Sequence, residues 1–307
     1  MPDNNPPLLT RRRLVGYAIE VTKGTLVAPT TGIAAPCYDV RMAPDGWFGD
    51  GERRPAGHLG TVLSAKGAKR GKCTFRMELV PGSPFTDLIK ACGYVVTEGV
   101  AVPTSNFTLQ KTVTLYVWED GRVKKMKGCA GNFTLTATNG ARIFVEFEFT
   151  GLWVAPADAA MPAYTPVNSI GYRSANATFT VGGAALPQIA TWTFNSNNTV
   201  DARETVEDDA GLLHYFIGDR GPTITMDPEA RKVAHHDAYG IMDAMTLQAL
   251  SLSFPGPASG VFKIVSPKAQ RVELEDGERG AKTTDSVTFQ LHESAGDDCV
   301  EITDTGA

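Results

Sequence analysis

The chain is poor in nearly everything from which metal centres and catalytic sites are built. Its 307 residues include five cysteines, Cys37, Cys73, Cys92, Cys129 and Cys299, and no two lie closer than nineteen positions. No CxxC pair exists, which argues against a zinc site or a redox motif and leaves buried, unbridged thiols as the expectation. The five histidines are equally scattered, and the one adjacent pair, His235 and His236, points about 100° apart on a helix and cannot chelate one ion. GxSxG, GxxxxGK[ST], HExxH and a strand-linked GxGxxG are all absent. The acidic stretch 45–52 lacks the spacing of a calcium loop. No catalytic residue, metal or cofactor is expected, and the chain does not read as an enzyme.

Other absences bound its surroundings. No apolar run reaches 18 residues, so no membrane-spanning helix is expected. The opening Met-Pro-Asp-Asn-Asn-Pro-Pro lacks the apolar centre of a signal peptide, so synthesis in a cytoplasm is expected. Asn106, Asn132, Asn176 and Asn197 begin Asn-x-Thr triplets, which Thr-rich strands generate without any link to glycosylation. Net charge is −5, so there is no basic surplus with which to grip nucleic acid. A mildly acidic wall is compatible with a polyanion sliding past.

What the chain does contain is β pattern. Apolar and polar residues alternate through 74–80 and 113–118, as in half-buried strands. Glu119-Asp120-Gly121 predicts a tight turn into 122–126, and Asn139-Gly140 a turn between 133–136 and 143–149. Further strands are expected at 177–181, 189–194, 223–227, 250–254, 261–265, 271–274 and 286–291. Two helices interrupt them. Phe85, Leu88, Ile89 and Cys92 form a one-sided stripe, with Ser83 as cap, Pro84 in the first turn and Gly93 after the end. A second helix is expected within 228–245, weakened by Gly240.

The order strand, helix, several strands occurs twice. Thr74-Phe75-Arg76-Met77-Glu78 matches Thr223-Ile224-Thr225-Met226-Asp227, each preceded by Arg-Gly, at a separation of 149 residues. Phe147-Glu148-Phe149 matches Phe289-Gln290-Leu291 at a separation of 142. Two diverged copies of one β-plus-helix unit account for this. The Pro-rich run 155–166 is the expected boundary, which divides the chain into an arm (1–14), a first unit (15–165), a second unit (166–294) and an acidic tail (295–307).

Two segments are candidates for contacts between neighbouring copies. One is the arm, with Arg11, Arg12 and Arg13. The other is the Gly- and Pro-rich loop 43–60, with Trp47, Phe48, Arg53 and Arg54, since aromatic residues and Arg are interface-enriched types.

Several runs follow in a recognisable order. They are the opening Glu20-Val21-Thr22-Lys23-Gly24-Thr25-Leu26-Val27-Ala28-Pro29, the helix before Ala91-Cys92-Gly93, and Phe147-Glu148-Phe149-Thr150-Gly151-Leu152-Trp153-Val154-Ala155-Pro156. Ser174-Ala175-Asn176-Ala177-Thr178-Phe179-Thr180-Val181-Gly182-Gly183 and Ile217-Gly218-Asp219-Arg220-Gly221-Pro222-Thr223 continue the series. In this order the runs resemble the tail tube proteins of siphovirus-type bacteriophages and related prophages, and the resemblance spans about residues 15–292. It implies a mainly β fold, a β-sandwich or partial barrel with a flanking helix, here in two tandem copies. It also implies homo-oligomeric rings stacked into a hollow tube of the virion tail, with genome DNA passing through the lumen. Tape measure and terminator proteins are the other partners it implies. With two units per chain, a trimeric ring with pseudo-sixfold symmetry is expected, ahead of a hexamer with one unit and an added domain. The alternatives are a decoration or adhesin-type β-module, or a tail-completion protein of the same fold.

Overall fold

A computed structural model describes residues 8–9, 12–30, 33, 37–46, 67–164, 170–186, 188–257 and 260–306. The chain is mainly β. Its first half holds β1 (Arg13–Ile19), β2 (Cys37–Asp45), β3 (Arg70–Glu78), a helical turn α1 (Phe85–Leu88), β4 (Tyr94–Thr97), β5 (Val100–Pro103), β6 (Val113–Glu119), β7 (Arg122–Thr138) and β8 (Phe144–Asp158). The second half begins with β9 (Thr178–Val181), β10 (Ala184–Ala185), β11 (Thr191–Asn195), β12 (Asn198–Glu204), β13 (Leu212–Arg220) and β14 (Thr223–Met226). It continues through the short helix α2 (Ala238–Asp243), β15 (Gln248–Pro255), β16 (Val261–Arg279), β17 (Lys282–His292) and β18 (Glu301–Asp304).

Sixteen strands join in one antiparallel network, whose longest path is β10-β9-β15-β16-β17-β14-β11-β7-β8-β3-β2; β12 and β13 form a separate hairpin. Within the network, two ladders share one order. In the first half β1 pairs β6, β6 pairs β7, β7 pairs β8, β8 pairs β3 and β3 pairs β2. In the second, β9 pairs β15, β15 pairs β16, β16 pairs β17, β17 pairs β14 and β14 pairs β11. In chain order a helix follows the corresponding strand of each half, α1 after β3 and α2 after β14. The register agrees too. Phe75 lies opposite Phe147, and Ile224 opposite Phe289. These are the residues that the sequence matches align.

The two ladders meet where β11 pairs the distal part of β7. They curl around one apolar cluster that draws on both halves. Ring contacts join elements that are not paired: Trp192 of β11 stacks on Phe254 of β15 with centroids 4.7 Å apart, and Phe85 of α1 meets Phe262 of β16 edge-on at 5.8 Å. Each fully buried Phe of this cluster contributes roughly 1.5–3 kcal/mol through burial alone.

The local chemistry explains most elements. Asp120 and Gly121 both have positive φ, which closes the two-residue β6–β7 turn with the twist its strands need. Gly93, at φ 82°, ends the first helix in the left-handed conformation. Other expectations need correction. The first helix is only α1 followed by a 3₁₀ turn, Ile89–Cys92, and Ser83 does not cap it, because Pro84 occupies the cap position. The second helix spans 238–243 rather than 228–245. Residues 228–230 instead run along β17, where Asp285 N–H donates to Pro228 O and Ala230 N–H to Thr283 O. Asp237 starts α2 by accepting from Gly240 N–H at 2.7 Å. The pairs 122–126 with 132–136, and 261–265 with 271–274, are each one long bulged strand.

The segments set apart at the ends join the body. β8 continues through Pro156 to Asp158, inside the expected connector. β18, within the expected acidic tail, pairs with β16 and β5, with Ile302 buried, and Tyr172 Oη donates to Asp304 Oδ1 at 2.5 Å. β1 begins at Arg13, within the expected arm.

Candidate functional site

Period-two alternation gives the strands from β17 through β14, β11, β7 and β8 to β3 one apolar and one polar side. Phe75 and Met77 of β3, Val145 and Phe147 of β8, Phe133 and Leu135 of β7, Trp192 and Phe194 of β11, Ile224 and Met226 of β14, and Val287 and Phe289 of β17 are buried. Their sequence neighbours point the other way. One row crosses eight strands with directly opposed residues: Gln270, Gln290, Thr223, Asn195, Thr134, Glu146, Arg76 and Tyr38. None of the eight is buried. A second row runs Glu273, Thr288, Thr225, Thr193 and Thr136.

The middle of this face is neutral and hydroxyl-rich. Thr134 Oγ1 donates to Asn195 Oδ1 at 2.9 Å across the β7–β11 junction, and the Thr225 and Thr288 hydroxyls meet at 3.1 Å. Charge collects at its ends. On the β2–β3 side, Lys72 pairs with Glu148 at 2.6 Å, Arg76 lies over the Phe144 ring at 4.5 Å, and Arg41 is exposed. On the β16 side stand Glu273 and Glu275, both exposed.

The junction of the halves is held from beneath by an amide network. Asn132 Oδ1 accepts from Asn198 N–H at 2.5 Å and from Ser196 Oγ at 3.0 Å, while Asn198 Nδ2 donates to Cys92 O at 2.9 Å. Asn132 is thereby committed to structure. The opening segment is locked similarly. The buried Glu20 carboxylate accepts from Gly24 N–H at 2.6 Å, Thr112 Oγ1 at 2.6 Å, Thr114 Oγ1 at 2.7 Å and Gly128 N–H at 2.7 Å. Nearby, His214 is buried, and burial followed by the charges of Lys23 and Arg203 pushes its pKa down to about 4.

Of the residues expected at contacts between copies, Arg12 pairs with Asp120 at 2.5 Å and Arg13 Nη1 donates to Val40 O at 2.9 Å, with Glu119 3.5 Å from its Nε. Both thus reach partners within their own chain. Arg11, Trp47, Phe48, Arg53 and Arg54 lie outside the described residues. The sequence reading missed the polar face as a site. Its signal was the Thr, Ser, Asn and Gln at alternate positions of strands already recognised.

No group of His, Cys, Asp and Glu among the described residues is arranged to hold a metal ion. A broad polar sheet face crosses both halves of the chain, and among the described residues β2 and β10 end its path. The chain belongs to the phage tail tube protein family, whose sequence profile matches residues 10–291. No curated protein matches it. Membership gives it a structural role in a bacteriophage tail tube, and the family is one of structural proteins.

Proposed function

We propose that the chain carries two tail tube units in tandem, closes with two further copies into a pseudo-sixfold ring, and stacks ring upon ring into the conduit through which genome DNA leaves the virion. The observation that carries this reading is the repeated ladder order, β1-β6-β7-β8-β3-β2 and β9-β15-β16-β17-β14-β11, with matching opposed residues. Five successive pairings, an intervening helix and a matching register support this reading over chance recurrence of β pattern. A ring of such units repeats one heterologous contact until it closes, and a second contact between rings extends it into a tube.

The polar face is the proposed lumen wall. A polyanion moves freely along a surface that offers it few cations, because binding draws its strength from phosphate neutralisation. The central strands β17, β14, β11 and β7 present Ser286, Thr288, Gln290, Thr223, Thr225, Thr193, Asn195, Thr134 and Thr136 there, without a charge. The contact candidates at 11–13 and 47–54 are proposed to act between rings. Negative-stain microscopy of the purified chain at high concentration tests the reading. Rings or tubes are expected; a lasting monomer contradicts it and favours a decoration-type module.

A further inference from the structure

Basic side chains gather in one cleft beside the β12–β13 hairpin. The cleft measures about 610 Å³ and is lined by the segment after β1, the loop between β5 and β6, the bulged part of β7 and the hairpin itself. Lys23, Lys127, Arg203 and His214 lie on its wall, with Thr22 and Thr108 beside them. Arg203 and His214 are directly opposed across the hairpin, and Lys127 stands at the bulge of β7. Among the described residues, neither the Lys127 ammonium nor the Arg203 guanidinium has an ion-pair partner.

The cleft is held in shape as well as charged. Lys23 Nζ sits 3.6 Å over the centre of the Phe107 ring and donates to Phe107 O. Burial, followed by the charges of Lys111 and Arg203, pulls the Lys23 pKa down. His214 is buried against the same ring at 5.8 Å, and its Nε2 is buried with no hydrogen-bond partner among the described residues. Lys23 and Arg203 depress the His214 pKa too, after burial. Cations that repel one another in this way are relieved by a counter-anion. The nearest carboxylates are otherwise engaged. Asp208, on the wall, accepts from Ala210 N–H at 2.7 Å within its own turn. Glu20, which reaches Gly24 on the wall, is spent on four donors.

We infer that this cleft binds a phosphate group, free or as a monoester, between Lys23, Lys127 and Arg203. Three cations set against one wall carboxylate call for a ligand with more than one negative charge, and a phosphate dianion has the oxygens to accept from ammonium and guanidinium groups together. A single carboxylate balances only one of them. Binding also gives His214 Nε2, as its N–H tautomer, the partner it lacks. The aromatic ring does not serve as a platform for a base. Lys23 covers one face of Phe107, and the rings of His214 and Phe216 pack against it at 5.8 and 5.4 Å. Recognition is therefore of the phosphate itself.

The site is independent of ring formation, so the full chain is tested in whatever assembly it adopts. Equilibrium dialysis against radiolabelled inorganic phosphate, with ionic strength fixed by KCl, is expected to show one saturable site per chain. Glycerol phosphate is expected to displace the label, and acetate at equal concentration is not. Displacement by glycerol phosphate at lower concentration than by unlabelled phosphate identifies a monoester as the better ligand, and the reverse order identifies free phosphate. Lys127→Gln with Arg203→Gln is expected to weaken binding by about an order of magnitude or more. Arg231→Gln with Lys232→Gln removes the same charge from exposed positions elsewhere and is expected to leave binding unchanged. Retention that never saturates, equal displacement by acetate, or equal losses in the two double variants overturns the site. Saturation and displacement are read on the unsubstituted chain, so a variant that fails to fold leaves the test intact.

Discussion

At the scale of single residues, buried polar groups hold the fold where apolar packing is thin. Glu20 satisfies four donors from three segments, so Glu20→Ala leaves Gly24 N–H, Gly128 N–H and two Thr hydroxyls without their acceptor. Unfolding in denaturant is expected to show a loss of about 2–4 kcal/mol. His214 supplies a pH dependence. Its folded pKa, near 4, lies below its ordinary value of 6.5, so the unfolded chain binds the proton more tightly. Its contribution to stability is complete above about pH 6.5 and is lost as pH falls toward 4. Denaturation midpoints at pH 7.5 and 5 are expected to differ less in His214→Gln than in the unsubstituted chain. The Glu20 motif was visible in the sequence as part of the family's opening run. Its role was not, since three of its donors lie about a hundred residues away.

At the scale of elements, the two ladders carry matching ion pairs with different surroundings. Glu78 ends β3 and pairs with Arg142 at the β7–β8 turn, at 2.7 Å; Asp227 follows β14 and pairs with Arg279 at the β16–β17 turn, at 3.1 Å. Glu78 is only 2% exposed, whereas Asp227 keeps 22% of its side chain exposed and Glu229 shares Arg279. The Arg142 side chain keeps 57% of its surface exposed, which screens the pair, so Arg142→Ala is expected to cost about 1–2 kcal/mol, and Arg279→Ala under about 1 kcal/mol, in equilibrium unfolding. Strands with strict alternation, such as β3, β8, β14 and β17, were legible because each buries one side on the shared core; β6 alternates in sequence but is buried on both sides. β4, β5 and β18 were not. They are four residues each, and they exist because β5 pairs both β4 and β18, a contact of distant sequence. α2 fills only part of 228–245 because residues 228–230 are held along β17 and because Val233 stays exposed, at 64%. The polar face was implicit in the same alternation, but which strand edges stay open depends on partners that sequence spacing does not reveal.

At the scale of the whole molecule, two ladders with one pairing order share one core and one continuous polar face. The central claim is that one chain supplies two of the six units around the tail tube. Cryo-electron microscopy of the assembled tube measures this directly through its rotational symmetry. Three chains per ring, each contributing two similar segments to the inner wall, is the predicted result. Six equivalent chains per ring, with residues 166–294 away from the lumen, is the result that contradicts it.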